Sequence, residues 1–328
     1  MQTQPRAIEW PTLALFAATY ALWAVATTAL WTVSPLLGTL AAALAIAQFS
    51  SLTHEVLHGH PFRNQTLSEA LVFPGLTIFV PYLRFKDLHL QHHFDPALTD
   101  PYDDPEANYL DPAVWARLPA PVKALLRFNN TLFGRMLVGP AISTFAMVKG
   151  DLAAMGRGDR RVWLAWGLHL PGVALVGLWL AWAAMPVWAY LLAAYLGWSL
   201  LKIRTYLEHR AHEAARARTV VVESRGPLSL LFLNNNFHVV HHMHPNVPWY
   251  KLPALYFANR DHYLRRNESY RYGSYVEIFR QYLFRAKDPV PHPIWPVDKG
   301  GALDQPPEAR GGVGIVEERH AGLIAARH

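Results

Sequence analysis

Seventeen of the 328 residues are histidine, and their grouping carries the chemistry. The first group is His54-Glu55-Val56-Leu57-His58. A spacing of four sets both imidazoles on one helical face, a turn apart. The second is His89-Leu90-Gln91-His92-His93, and the third, His238-Val239-Val240-His241-His242, repeats its H-x-x-H-H pattern. Positions i, i+3 and i+4 share a helix face, so the three rings of each triple can converge. Pro96 and Pro245 stop those helices soon after, and His209 follows the segment from Arg204 to Glu208. A lone histidine is usually an ordinary core or surface residue. Two identical triples beside an H-x-x-x-H pair are not accounted for in that way. Together they exceed the four or so donors that one tetrahedral zinc takes. They suit two ions of the kind imidazole serves well: iron, zinc, copper or nickel. Neutral ligands leave such a pair most of its positive charge, which favours an oxidant electrophilic enough to attack an unactivated C–H bond.

The elements that must hold these rings are apolar. Hydrophobic residues make up 52% of the chain and charged residues 16%, against roughly 25% charged in soluble domains. Four runs approach the ~20 residues that cross a bilayer core: residues 11–31, 35–53, 162–184 and 187–206. Each pair is joined by a short link, the first being Thr32, Val33 and Ser34, so the runs form two hairpins. No Lys or Arg lies between Ala7 and Phe62 or between Val162 and Leu201. The basic residues therefore fall on the side towards which both hairpins open, and the positive-inside rule places that side, with both termini, in the cytosol. Trp10, Trp31, Trp163 and Trp188 stand near the span ends as interfacial anchors. Residues 67–85, broken by Pro74 and Pro81, read as a pair of short re-entrant or interfacial helices, and residues 125–148, with Arg127 and Arg135, as an interfacial helix. The expected fold is thus an all-α membrane protein: four transmembrane helices in two hairpins, capped by a cytosolic helical domain that holds the metal site. Residues 1–285 form one membrane-embedded domain, and residues 286–328, rich in Pro and Gly, a poorly ordered tail.

The H-x-x-x-H, H-x-x-H-H, H-x-x-H-H series set around two membrane hairpins resembles the membrane fatty-acid desaturase superfamily. The likeness runs from His54 to Pro253 and includes Asn246-Val-Pro-Trp-Tyr-Lys-Leu-Pro after the last box. It implies two iron ions, dioxygen as co-substrate and an external ferredoxin- or cytochrome-like electron donor. It also implies that a histidine between the second and third boxes completes the ligand set. His209, at the mouth of the bundle, is the residue chosen; His212, a turn later, is its rival. The ligands implied are His54, His58, His89, His92, His93, His209, His238, His241 and His242. The same superfamily holds hydroxylases and carotenoid oxygenases. Desaturation of a lipid acyl chain is the first expectation, and hydroxylation or ketolation of a lipid or carotenoid the alternative.

His54-Glu55-Val56-Leu57-His58 also matches H-E-x-x-H, the zinc-protease motif with Glu as base, but that leaves both triples idle. A haem protein needs axial histidines facing each other within the spans, whereas these groups begin where spans end. No cysteine is present, which excludes disulfides, iron–sulfur clusters and thiolate-bound zinc. Asn234, Glu208 and His212 are candidates to orient ligands from behind, and the loop with Asp95, Asp100, Asp103, Asp104 and Glu106 offers acceptors for outer ring N–H groups. His169, inside the third span, reads as a functional group or as a neutral imidazole bonding between helices. The net charge of +6 suits an acidic electron carrier as well as anionic lipid. No nucleic-acid partner is expected.

Overall fold

The computed structural model describes residues 8–295, and its first apolar run does not fold as one helix. Helix α1 (Trp10–Thr27) is followed by a short α2 (Ala29–Val33). The hydroxyls of Thr27 and Thr28 bond back to the carbonyls of Trp23 and Ala24, an arrangement that bends helices. The reversal itself is one residue, Ser34. Its side chain accepts from the Leu37 amide to cap α3 (Pro35–Leu57), and Pro35 takes the first helical position. Gly59 at φ +90° turns the chain away after His58, a conformation glycine adopts without penalty.

Two short helices, α4 (Gln65–Ala70) and α5 (Tyr82–His92), flank an irregular link at residues 71–81. Next come α6 (Pro112–Arg117), α7 (Ala120–Asn129) and α8 (Leu132–Gly156). The single helix expected at 125–148 is divided, because Thr131 accepts from the Gly134 amide and starts a new helix. Helices α9 (Arg160–Trp182) and α10 (Val187–Thr205) follow in sequence, joined by residues 183–186; α10 packs on α3 and α8, and α9 on α5 and α8.

The described chain is mostly helical, and three stretches are long and apolar enough to cross a membrane: Trp10–Val33, Pro35–Leu57 and Arg160–Trp182. Of these α3 is the central one, with 67% of its apolar window buried against 28% for the other two. Small residues bring α10 against it. A Cβ on Gly197 would lie 2.9 Å from the Ala43 carbonyl oxygen, and Ala42, Ala43, Ala189, Ala193 and Ala194 share the same buried core. On α9, a Cβ at Gly172 would lie 2.1 Å from the Phe73 oxygen, so the 71–81 link is seated directly on that helix.

The remainder forms β1 (Val221–Val222), α11 (Pro227–Leu231), α12 (His238–Met243), α13 (Leu252–Ala258), α14 (Arg260–Arg266), β2 (Arg271–Tyr272) and α15 (Tyr275–Tyr282). β1 and β2 pair in parallel, Val221 opposite Arg271. Val221, Phe237, Val239, Val240, Leu252, Tyr256 and Tyr263 make a separate core that anchors α12. The packed chain continues beyond residue 285. Leu110 exchanges backbone bonds with this strap: its amide donates to the Val290 carbonyl at 2.9 Å, and its carbonyl accepts from the His292 amide at 2.8 Å. Asn130 bonds the Asp288 carbonyl. Backbone pairing and side-chain contacts therefore hold residues 286–295, which composition alone puts in a loose tail; residues 296–328 of that tail lie outside the described residues.

Candidate metal centre

Three helix ends and one turn carry the nine histidines to a single place. His54 sits in the last turn of α3, and His58 caps that helix. His89 and His92 end α5, with His93 as its cap. His238, His241 and His242 come from α12, a helix of 6 residues. It is aimed by Leu233 and Asn234, which take positive φ values of 51° and 54° just upstream. His209 is not on α10: that helix stops at Thr205, and His209 pairs with Thr219 in an antiparallel bridge.

The rings fall into two sets. His54, His58, His89, His93 and His241 form one, and His92, His209, His238 and His242 the other; within each, the ligand atoms lie within 4.8 Å of one another. In the first, the Nε2 atoms of His89 and His93 are 2.9 Å apart and those of His93 and His241 3.1 Å. In the second, Nε2 of His209 lies 2.9 Å from that of His92 and 3.2 Å from that of His238. Nitrogens sharing one ion at about 2.0–2.1 Å stand roughly 3 Å apart. The buried Nε2 atoms of His54, His58 and His242 meet no hydrogen-bond partner, a costly state for a polar atom unless something binds it. The His93 and His242 rings stack with centroids 4.3 Å apart, so the two sets adjoin. The donor set fits two metal ions.

Electrostatics agree. Burial and the neighbouring imidazoles hold His58, His93, His209, His238 and His241 well below the usual histidine range. These rings are neutral, the form that binds metal. Burial also lowers His242, to about 4, against the opposing bond from Asp95. His92 differs. Burial works against its proton, but the Glu106 and Asp104 carboxylates outweigh it and raise the ring to about 9. They draw positive charge to that spot.

Outer ring nitrogens are held from behind, chiefly by the acidic loop. Nδ1 of His92 lies 2.7 Å from Asp104, that of His89 2.9 Å from Glu106 and that of His242 3.3 Å from Asp95. His238 is held by Asn235 Oδ1 at 2.9 Å. Asn234, expected in such a role, instead donates to the Trp249 carbonyl, because its left-handed backbone turns the side chain away. Glu208 pairs with Arg204 at 3.1 Å and stays 3.8 Å from His238. His212 lies outside both sets and faces Glu268 at 3.4 Å. The helical spacing that made it a rival of His209 is absent, since the chain beyond α10 is a turn. Glu55 accepts the Trp249 amide at 3.1 Å, a structural bond rather than a zinc-protease base aimed at bound water. His169 donates from Nε2 to the Ile78 carbonyl at 3.1 Å, tying α9 to the 71–81 link.

An apolar cavity of about 430 Å³ lies beside the first set, between α3, the 71–81 link, α5 and α9. Phe49, Thr53, Val72, Phe85 and Leu168 are among its lining residues. Thr53 precedes His54 in sequence, and the Phe85 ring lies 5.6 Å from that of His89.

Apolar helices bearing two inward-facing sets of imidazoles define a histidine-rich metal protein of the membrane. The family model described as "Fatty acid desaturase" matches residues 29–274, and the chain belongs to that family. Membership makes it a membrane oxidoreductase that oxidises lipid at a histidine-rich iron site. No curated protein matches the chain.

Proposed function

We propose that this chain is a two-iron, dioxygen-dependent enzyme that desaturates a lipid acyl chain. The observation that carries the reading is the pairing of two convergent histidine sets with an adjoining apolar cavity. His54, His58, His89, His93 and His241 would hold one ion, and His92, His209, His238 and His242 the other. Bound there, with dioxygen and two external electrons, the ions would supply an oxidant able to take hydrogen from an unactivated C–H bond. Removing two adjacent hydrogens, with two electrons and two protons added, reduces one O₂ to two waters and leaves a C=C bond. The protein's own part is placement. Asp104, Glu106, Asp95 and Asn235 fix the ring orientations, and the apolar cavity offers an acyl chain a place beside the first set.

The rest of the reading concerns the whole assembly. α10 is a fourth span antiparallel to α9, with Trp188, Leu191 and Leu192 exposed to lipid and Lys202 and Arg204 at its cytosolic end. The histidine sets and both termini lie on that side, and residues 8–295 act as one unit. No cysteine is available for an iron–sulfur cluster, so a separate ferredoxin- or cytochrome-like protein delivers the electrons. Expression in a defined host under ¹⁸O₂, with mass spectrometry of lipids and pigments, tests the reaction. The expected result is lipid lighter by two hydrogens with no ¹⁸O. A labelled alcohol or ketone as main product means that hydroxylation or ketolation is the activity instead.

A further inference from the structure

Building on the two-iron reading, we infer that the strap at residues 287–292 clamps the second histidine set, with Lys287 as the positioning residue for His209. The strap lies past residue 274, where the family match ends, so family membership gives it no role. His92 and His209 face each other only if two segments remote in sequence meet. One is the acidic loop with Asp104, and the other is the turn after α10. The strap holds both.

On the turn, Lys287 Nζ donates to the His209 carbonyl at 2.5 Å and to the Tyr270 hydroxyl at 3.2 Å. Its own amide donates to the Tyr206 hydroxyl at 3.1 Å. Next to it, Asp288 accepts from the Tyr109 hydroxyl at 2.5 Å, and that hydroxyl accepts from the Ala211 amide at 2.9 Å. On the loop, His292 Nε2 lies 3.3 Å from Thr99 Oγ1. The Thr99 amide donates to Asp104 Oδ2 at 2.8 Å, while Asp104 Oδ1 holds His92 Nδ1 at 2.7 Å. These two lines of bonds end at the facing Nε2 atoms of His92 and His209, 2.9 Å apart.

The second set needs such a clamp more than the first. Every histidine of the first set comes from the end of α3, α5 or α12, whereas α10 stops at Thr205 and leaves His209 on a turn. Side chains on loops are placed less precisely than those on helices. A bond from an ammonium to the His209 carbonyl is charge-assisted and strong, and Lys287 is only 10% exposed. Its charge does the opposite of attracting metal, since a cation behind the site repels an incoming ion. Charge and geometry therefore predict opposite effects when Lys287 is neutralised.

The test uses purified full-length protein titrated anaerobically with ⁵⁷Fe(II), read by iron stoichiometry and Mössbauer spectra. Wild type is expected to bind two irons, and the doublet missing from His209→Ala marks the second. Lys287→Met keeps the aliphatic stem and removes the donor. It should retain the first doublet and bind the second iron about tenfold more weakly or worse, in the range for loss of an outer partner. Second-iron affinity that is unchanged or tighter, or equal weakening of both irons, overturns the inference and leaves the two-iron reading standing. Fewer than two irons in wild type overturns that reading itself. Should Lys287→Met fail to fold, Tyr109→Phe decides by the same readout. It deletes only the hydroxyl that joins Asp288 to Ala211, and selective loss of the second iron supports the clamp while two irons of wild-type affinity overturn it.

Discussion

At the scale of single residues, His209 and Asn235 carry the most information. The three boxes were legible because helical spacing is a property of sequence. His209 could be chosen only by its place at a helix end, and the structure puts it on a turn that pairs with Thr219. If His209 is a ligand and His212 only a partner of Glu268, His209→Ala should abolish turnover and leave about one iron per chain. His212→Ala should retain both. Loss of activity in His212→Ala with retention in His209→Ala reverses the assignment. The orienting asparagine was not legible: Asn234, Asn235 and Asn236 are adjacent and identical, and only the left-handed backbone at Asn234 decides which one faces His238. Asn235→Ala should therefore weaken iron binding about 10–100-fold, the usual cost of removing an outer-shell partner. Asn234→Ala should not. Equal metal affinity in the two variants would count against this role for Asn235.

At the scale of elements, the fold depends on close approaches that hydropathy does not register. The apolar runs announced helices near residues 11–31 and 35–53, yet the break at Thr28 and the division of residues 125–148 at Thr131 come from hydroxyls bonding to nearby backbone. The seating of the 71–81 link on α9 was equally hidden, since Gly172 looks like any glycine in an apolar helix until Phe73 is placed against it. That contact matters for function because both elements line the cavity. Gly172→Ala puts a methyl 2.1 Å from a backbone oxygen, and backbone cannot swing aside as a side chain can. Overpacking of this kind costs about 1–3 kcal/mol. The melting temperature in detergent should fall, whereas Gly177→Ala on the same helix, with nothing within 4 Å, should melt like wild type or slightly above it, since alanine favours helix. Identical melting of Gly172→Ala and wild type would show that the link yields freely.

At the scale of the whole molecule, the question is which way the hairpins point. Charge segregation makes the prediction: no Lys or Arg interrupts residues 7–62 or 162–201, so the short links at Ser34 and at residues 183–186 lie opposite the histidine sets. Three stretches meet the length and composition of a span, and α10, with Lys202 and Arg204 in its last turn, is the proposed fourth. An even number of spans keeps both ends of the chain on one side; three would separate them. The absence of cysteine lets a single introduced thiol report its own location. Val33, 80% exposed beside the first reversal, and the exposed Glu213 beyond α10 are suitable positions because neither supports a helix cap or a histidine. In sealed cells, a membrane-impermeant maleimide should label Val33→Cys at once and Glu213→Cys only after permeabilisation. Arg63→Cys, after the second span, should behave like Glu213→Cys, since the two flank the same metal layer from different hairpins. If Glu213→Cys is labelled from outside while Arg63→Cys is protected, α10 does not return the chain across the bilayer. The histidines of α12 could not then reach those of α3 and α5 from the same side, and the topology would have to be redrawn.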